Sequence, residues 1–344
     1  MTSLPLLPTT VIGSYSLPRW LERVREMHRI GNLTDEELEE AHDNAVKSCL
    51  KDQELAGVDI ITDGELRRET MVYFFNAHIR GFRLYGPHKP IGTLHPHITM
   101  PDPVVESKVG RGDLGAVMAR HFRFAQAHTP KKVKVCVTGP HMLTKRAWNE
   151  AYKGDDRALC FDLAEILNAD LKQLVAAGCD FIQIDEPVWV GYPDEVRQWA
   201  VAAFNRLVDG VNAKITLHIC YGNYQRTRLF PGTYRDLFPW ILKAHASQFV
   251  FEFAVNDFSE FAIFRDFPPD RELGVGVIDV KSDDIETPEQ VAARLRRALE
   301  VFPPDKLYVN PDCGLKFTPR SIAFAKLKAM CDGTALVRAE LEGK

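Results

Sequence analysis

Apolar residues along this chain follow two alternating patterns. Short β-rich runs occupy 9–15 (TTVIGSY), 59–65 (DIITDGE), 133–139 (VKVCVTG), 181–187 (FIQIDEP), 214–222 (KITLHICYG), 248–254 (QFVFEFA), 273–280 (LGVGVIDV) and 307–314 (LYVNPDCG). Between them lie stretches with helical spacing, among them 34–57, 158–178, 287–302 and 318–330. Thr34 and Thr287 stand as N-caps with Glu or Gln three residues on, and Gly57 and Gly178 stand as C-terminal stops. Eight β-then-α units predict an α/β fold, a closed (β/α)8 TIM barrel, over one catalytic domain spanning 1–344. An open doubly wound sheet is the competing layout, but it calls for fewer strands and usually a GxGxxG turn, which is missing. The segment 80–111, rich in Pro and Gly, is expected to be a hairpin excursion or lid after the second strand.

Polar residues collect at one end of the predicted barrel. Ser14, Glu65, Asp185, Glu186, His218, Cys220, Glu252, Asp279, Asp312 and Cys313 all fall at the C-terminal ends of predicted strands, the face that carries barrel active sites. His218 and Cys220 are i and i+2 of one strand and share a face, so both can reach one metal ion. Cys313 supplies a third soft ligand from a distant segment, a spacing that favours a working metal with an exchangeable position. His95 and His97 repeat the i, i+2 spacing without a nearby cysteine or carboxylate, and read as loop polar residues.

Composition narrows the class. With 45% hydrophobic and 26% charged residues and a formal charge of −4, the chain has no electrostatic footprint for nucleic acid or a membrane surface. The opening run MTSLPLLPTTVIGS lacks the features of a leader, which points to the cytoplasm. Seven cysteines at scattered spacing do not form a disulfide framework; Cys49, Cys136, Cys160, Cys179 and Cys331 read as small buried hydrophobes.

The blocks Ile12-Gly13-Ser14, ITDGELRRETMVYFF (61–75), VTGP (137–140), FIQIDEP (181–187), LHICYGN (217–223) and VNPDCGLK (309–316) occur in the order found in one enzyme family. The chain resembles the catalytic C-terminal barrel of cobalamin-independent methionine synthase over nearly its full length. This resemblance implies a Zn2+-dependent methyltransferase that activates homocysteine as a zinc-bound thiolate, with methyltetrahydrofolate or a methyl-corrinoid protein as donor. It assigns His218, Cys220 and Cys313 as zinc ligands, with Glu252 as the fourth and Glu260 as a fallback. It places Ile12, Gly13, Ser14, Glu65 and Asp185 around the amino acid.

The chain departs from the family pattern in three places. Lys281 stands where the family has a histidine, and with Asp279 it is expected to act in catalysis, either as an acid or as an anion contact; the alternative is a solvated lysine paired with Asp283 or Asp284. Trp148 is a shifted candidate for a family tryptophan. The N-terminal barrel of the large members has no counterpart in these residues. Two other functions fit the ligand set: an epoxide:coenzyme M type thiol alkyltransferase, and a non-catalytic zinc-binding barrel.

Overall fold

The computed structural model describes residues 4–343, so the first three residues of the opening run lie outside it. Strand β1 is reduced to residues 9–10, followed by β2 (Ile60–Ile61), β3 (Val135–Thr138, preceded by the short pair Lys132–Val133), β4 (Phe181–Asp185), β5 (Lys214–Ile219), β6 (Gln248–Phe251), β7 (Glu272–Ile278) and β8 (Leu307–Pro311). Strands β3 to β8 are neighbours in sequence order and pair in parallel. Ile60 pairs with Lys132, Thr10 with Ile60 and Thr9 with Val309, all in parallel, which closes the ring. The result is the expected eight-stranded barrel.

Outward residues such as Ile182, Ile184, Leu217 and Phe249 are fully buried against the outer layer. The interior is different. At the N-terminal end Ile60, Phe181 and Tyr308 form a small apolar plug, and above it the lumen is polar. There Thr216 Oγ1 donates to Gln248 Oε1 at 2.9 Å, and Lys134 Nζ donates to Gln183 Oε1 at 2.7 Å. Buried polar groups are tolerated because they satisfy one another.

The outer layer contains α1 (Arg19–Arg29), α2 (Asp35–Ala56), α3 (Leu114–Ala127), α4 (Asp156–Ala176), α5 (Val201–Val208), α6 (Pro288–Leu299) and α7 (Arg320–Leu341). Thr34 and Thr287 each form a complete capping box, and Gly57 ends α2 in the left-handed region at φ 93°. Helix α7 runs to Leu341, well past the predicted end near 330. After β5 and β6 the described residues form 3-10 turns instead of α-helices, at Tyr234–Asp236, Trp240–Lys243, Ala254–Asn256 and Phe261–Asp266. Pro231, Pro239, Pro268 and Pro269 interrupt these stretches. Phe253, Phe258, Phe261, Phe264 and Phe267 fill the space that a helix would occupy.

The predicted excursion is two nested antiparallel hairpins, Ile79–Arg83 with Val104–Arg111, and His88–Pro90 with Thr99–Pro101. The inner hairpin leans across the C-terminal mouth, where the N–H groups of Thr93 and Leu94 both donate to Leu229 O at 3.1 Å. His95 and His97 pack edge to face at its tip with ring centroids 5.8 Å apart.

Thr34→Ala removes the side-chain half of the α2 capping box. It is expected to destabilise the protein by about 1 kcal/mol, read as a lower urea midpoint with unchanged slope, and to leave ligand binding untouched.

Candidate active site

Three of the predicted metal ligands meet at the mouth. His218 lies on β5, Cys220 directly follows it, and Cys313 sits in the turn after β8. Their ligand atoms all lie within 4.8 Å of one another. The two sulfurs are 3.7 Å apart; two thiolates on a tetrahedral zinc, with bonds of about 2.3 Å, would be separated by about 3.8 Å. His218 Nδ1 is 2.8 Å from Asp185 Oδ1, while its Nε2 is buried without a hydrogen-bond partner among the described residues. A carboxylate holding one imidazole nitrogen so that the other can bind a cation is the usual arrangement behind a metal-bound histidine. Burial works against a charge on the ring, yet Asp185 and Cys313 raise it to about 9. The half-buried Cys313 shares a hydrogen bond with Cys220 and faces His218 and Lys281, and these contacts hold its thiol below the ordinary range against the cost of desolvation. One imidazole and two thiolates at this spacing suit zinc.

Beside this cluster the predicted amino-acid residues converge. Glu65 follows β2, Asp185 ends β4, and Ile12, Gly13 and Ser14 form the loop after β1. Gly13 adopts φ 140°, and a Cβ there would fall 2.5 Å from Glu65 Oε1; only glycine lets the loop lie against the carboxylate. Burial lifts the Glu65 carboxyl to about 7, with Arg68 opposing the shift and Asp185 adding to it. The loop is tied to the turn that carries Cys313, since Leu315 N–H donates to Ser14 O at 2.8 Å. Both clusters open into one cleft of about 190 Å³. Ser14, Glu65, Asp185, His218, Cys220 and Cys313 line its polar side, and Met71, Tyr73, Ile91, Met100, Tyr224 and Phe230 line much of the rest.

The model of the cobalamin-independent synthase catalytic domain matches residues 7–335. The chain belongs to that family. It is 42% identical to a methionine synthase of Sulfurisphaera tokodaii, an alignment that covers 100% of this chain and 96% of that protein. It is 40% identical to one from Saccharolobus solfataricus, over 100% of this chain and 98% of that protein. Among solved structures, a B12-independent methionine synthase from Shewanella sp. W3-18-1, in complex with selenomethionine, superposes with a TM-score of 0.83 at 30% identity, covering 98% of this chain and 100% of that one.

Within this cobalamin-independent synthase barrel, the region around the seventh strand needs the most revision of the sequence reading. Lys281 pairs with neither Asp283 nor Asp284. Its Nζ lies 2.8 and 2.9 Å from the two oxygens of Glu252, in a pair with side-chain exposures of 9% and 0%, while Asp283 pairs with Arg226. Burial lifts the Glu252 carboxyl to about 8 against the pull of Lys281. Burial opposes the charge on Lys281, but Glu252, Cys313 and Cys220 outweigh it and hold the ammonium firmly protonated. Lys281 therefore contacts the Glu252 carboxyl and is not a solvated lysine. Asp279 does not line the cleft; its Oδ1 accepts the Lys281 N–H at 2.7 Å and so shapes the turn that aims the lysine. Glu260 is engaged elsewhere, by the Tyr221 hydroxyl and by Tyr234 N–H. Trp148 also stays off the cleft, donating to Pro87 O at 2.8 Å beneath the excursion.

Several site residues escaped the sequence reading. Arg68 reaches Glu65 at 3.4 Å. Cys136 is buried as expected, yet its sulfur groups with Glu65 and Asp185 and donates to Ile12 O at 3.1 Å. Its i+2 position from the buried Lys134 on one strand was the available signal.

Lys281→Met would leave the Glu252 carboxylate buried beside Asp312 and Cys313 without its cation. The metal-free variant is expected to lose about 3 kcal/mol of stability, measured by chemical denaturation, with Lys281→Arg recovering part of the loss.

Proposed function

We propose that this chain is a methionine synthase working as one catalytic barrel. It transfers a methyl group to the thiol of homocysteine, with zinc held by His218, Cys220 and Cys313 and with Glu252 as fourth ligand. The observation that carries this reading is Asp185. Its Oδ1 holds His218, and the same side chain lines the cleft next to Glu65, so a sulfur-binding side and an ammonium-binding side share one residue. An amino thiol fits both sides, whereas a thiol without an amine would use the sulfur side alone.

When bound, zinc lowers the pKa of the substrate thiol, so that the nucleophilic thiolate is present at neutral pH. The chain's own residues do the rest. Glu65 and Asp185 hold the substrate ammonium and thereby fix the direction of its sulfur. Lys281 holds both oxygens of Glu252 and opposes the protonation that burial favours there, so Glu252 would be available as a ligand. The apolar wall of Met71, Tyr73, Ile91 and Met100 restricts water around the transferred methyl. The sulfur–methyl bond forms as the donor's bond to methyl breaks. We take the donor to be methyltetrahydrofolate or a methyl-corrinoid.

Placement in the cytoplasm is supported by seven free cysteines and a thiol-dependent reaction. No helix among the described residues is long and apolar enough to cross a membrane.

Zinc-loaded protein, given homocysteine with methyltetrahydrofolate, its polyglutamate form or methylcobalamin in separate assays, is expected to form methionine with at least one donor. No methionine from any of them overturns the reading. Cys313→Ser is expected to lose bound zinc and turnover together while its far-UV circular dichroism is unchanged.

Burial pushes the Glu65 carboxyl up to about 7, and an ammonium ligand requires it ionised. Affinity for methionine should therefore rise with pH below that value, by up to about tenfold per unit, and level off above it. Calorimetry across this range should show the slope in wild type and a flat profile in Glu65→Gln.

A further inference from the structure

We propose that Lys134 and Gln183 are positioning residues that set the hydrogen-bond direction of Asp185 and so hold His218 ready as a metal ligand. The inference rests on the reading that His218, Cys220 and Cys313 hold zinc.

Both residues are inside the barrel, with exposures of 1% for Lys134 and 0% for Gln183. Lys134 Nζ lies 2.6 Å from Val11 O and 2.7 Å from Gln183 Oε1. An ammonium has donors and no acceptor, so the atom that Gln183 turns toward it must be its oxygen. That leaves the Gln183 NH2 pointing the other way, where it donates to Ile12 O at 2.6 Å and to Asp185 Oδ1 at 2.7 Å. Asp185 Oδ1 also meets His218 Nδ1 at 2.8 Å. An ionised carboxylate only accepts, so Nδ1 is the donor and Nε2 is turned toward the two cysteines. Nε2 is the buried atom without a partner. Lys134, which cannot accept, fixes the orientation of the Gln183 amide; Gln183 then donates to Asp185, and the carboxylate, itself acceptor-only, fixes Nδ1 of His218 as its donor.

A lysine is a costly way to fill the inside of a barrel. No carboxylate among the described residues is hydrogen-bonded to Lys134, whose Nζ otherwise lies 5.7 Å from the Phe181 ring centre. Burying an ammonium costs several kcal/mol unless its contacts return it, and a methionine of similar length would pack without that cost. What the ammonium adds is polarity: without it, the Gln183 amide could rotate and present its oxygen to Asp185. The same two side chains also capture the carbonyls of Val11 and Ile12, the entry to the loop that carries Gly13 and Ser14. The metal ligand and the amino-acid loop therefore share one internal support.

The test is a double-mutant cycle on zinc affinity in the full chain, measured by competition with a chromophoric chelator. Gln183→Met is expected to weaken zinc binding by about 10- to 100-fold, with thermal unfolding confirming a folded barrel. In an Asp185→Ala background the same substitution should cost nothing further, because its effect acts through Asp185. Equal losses in the two backgrounds, or unchanged affinity in a folded Gln183→Met, overturn the proposal. Should Gln183→Met fail to fold, Lys134→Met carries the same cycle, and Lys134→Arg, which retains a donor-only group, should restore much of the affinity. A wild-type protein that binds no zinc, or a Cys313→Ser that keeps it, would instead sink the zinc reading itself.

Discussion

The site depends on the register between two neighbouring parallel strands. Asp185 of β4 lies beside His218 of β5, and that adjacency aims the imidazole, orders the two sulfurs around it and brings a carboxylate to the cleft. Because side chains alternate across a strand, a slip of one residue would turn His218 and Cys220 outward and bring Leu217 and Ile219 into the lumen. The apolar residues prevent this: Leu217 and Ile219 are completely buried in the outer core. Hydrophobic packing on one face of β5 thus enforces the chemistry on the other.

The polar interior is held together by links that cross between elements. Lys326, fully buried on α7, donates to Asp279 O at 2.9 Å and to Glu286 Oε2 at 3.0 Å, while Glu286 Oε1 accepts from Asp279 N–H at 2.8 Å. This anchors the turn after β7 that carries Lys281 to Glu252. Asp312 plays the matching part below the cysteine turn, accepting three consecutive N–H groups from Phe253, Ala254 and Val255. Charges that would be expensive alone are tolerated because each is part of a satisfied network.

The barrel and the shared face of His218 and Cys220 were legible in the sequence because their signals are local and periodic. Strand runs alternate with capped helices, and the i, i+2 spacing of His218 and Cys220 states a shared face directly. What could not be read were contacts between segments far apart in the chain. Lys281 finds Glu252, 29 residues away, because both are forced into the same buried corner; its near neighbours Asp283 and Asp284 are closer in sequence and point elsewhere. Cys136 has the composition of a core filler, and only folding shows Glu65 and Asp185 beside it. The 3-10 stretches after β5 and β6 reflect tertiary packing of phenylalanines that no helical or strand period encodes.

The contact between Gly314 and Ser14 has a consequence for which molecules the cleft can accept. The backbone at Gly314 lies against the Ser14 hydroxyl so closely that a single added methyl would collide with it, and Gly314 follows Cys313 directly. The separation between the Cys313 turn and the Ile12-Gly13-Ser14 loop is thereby set by the Gly314 backbone packed on the Ser14 side chain and by Leu315 N–H donating to Ser14 O at 2.8 Å. For the function proposed above, such a pair of surfaces would work as a ruler: it would measure the number of carbons between a ligand's sulfur and its amine, and a ligand one carbon too short would satisfy only one end at a time.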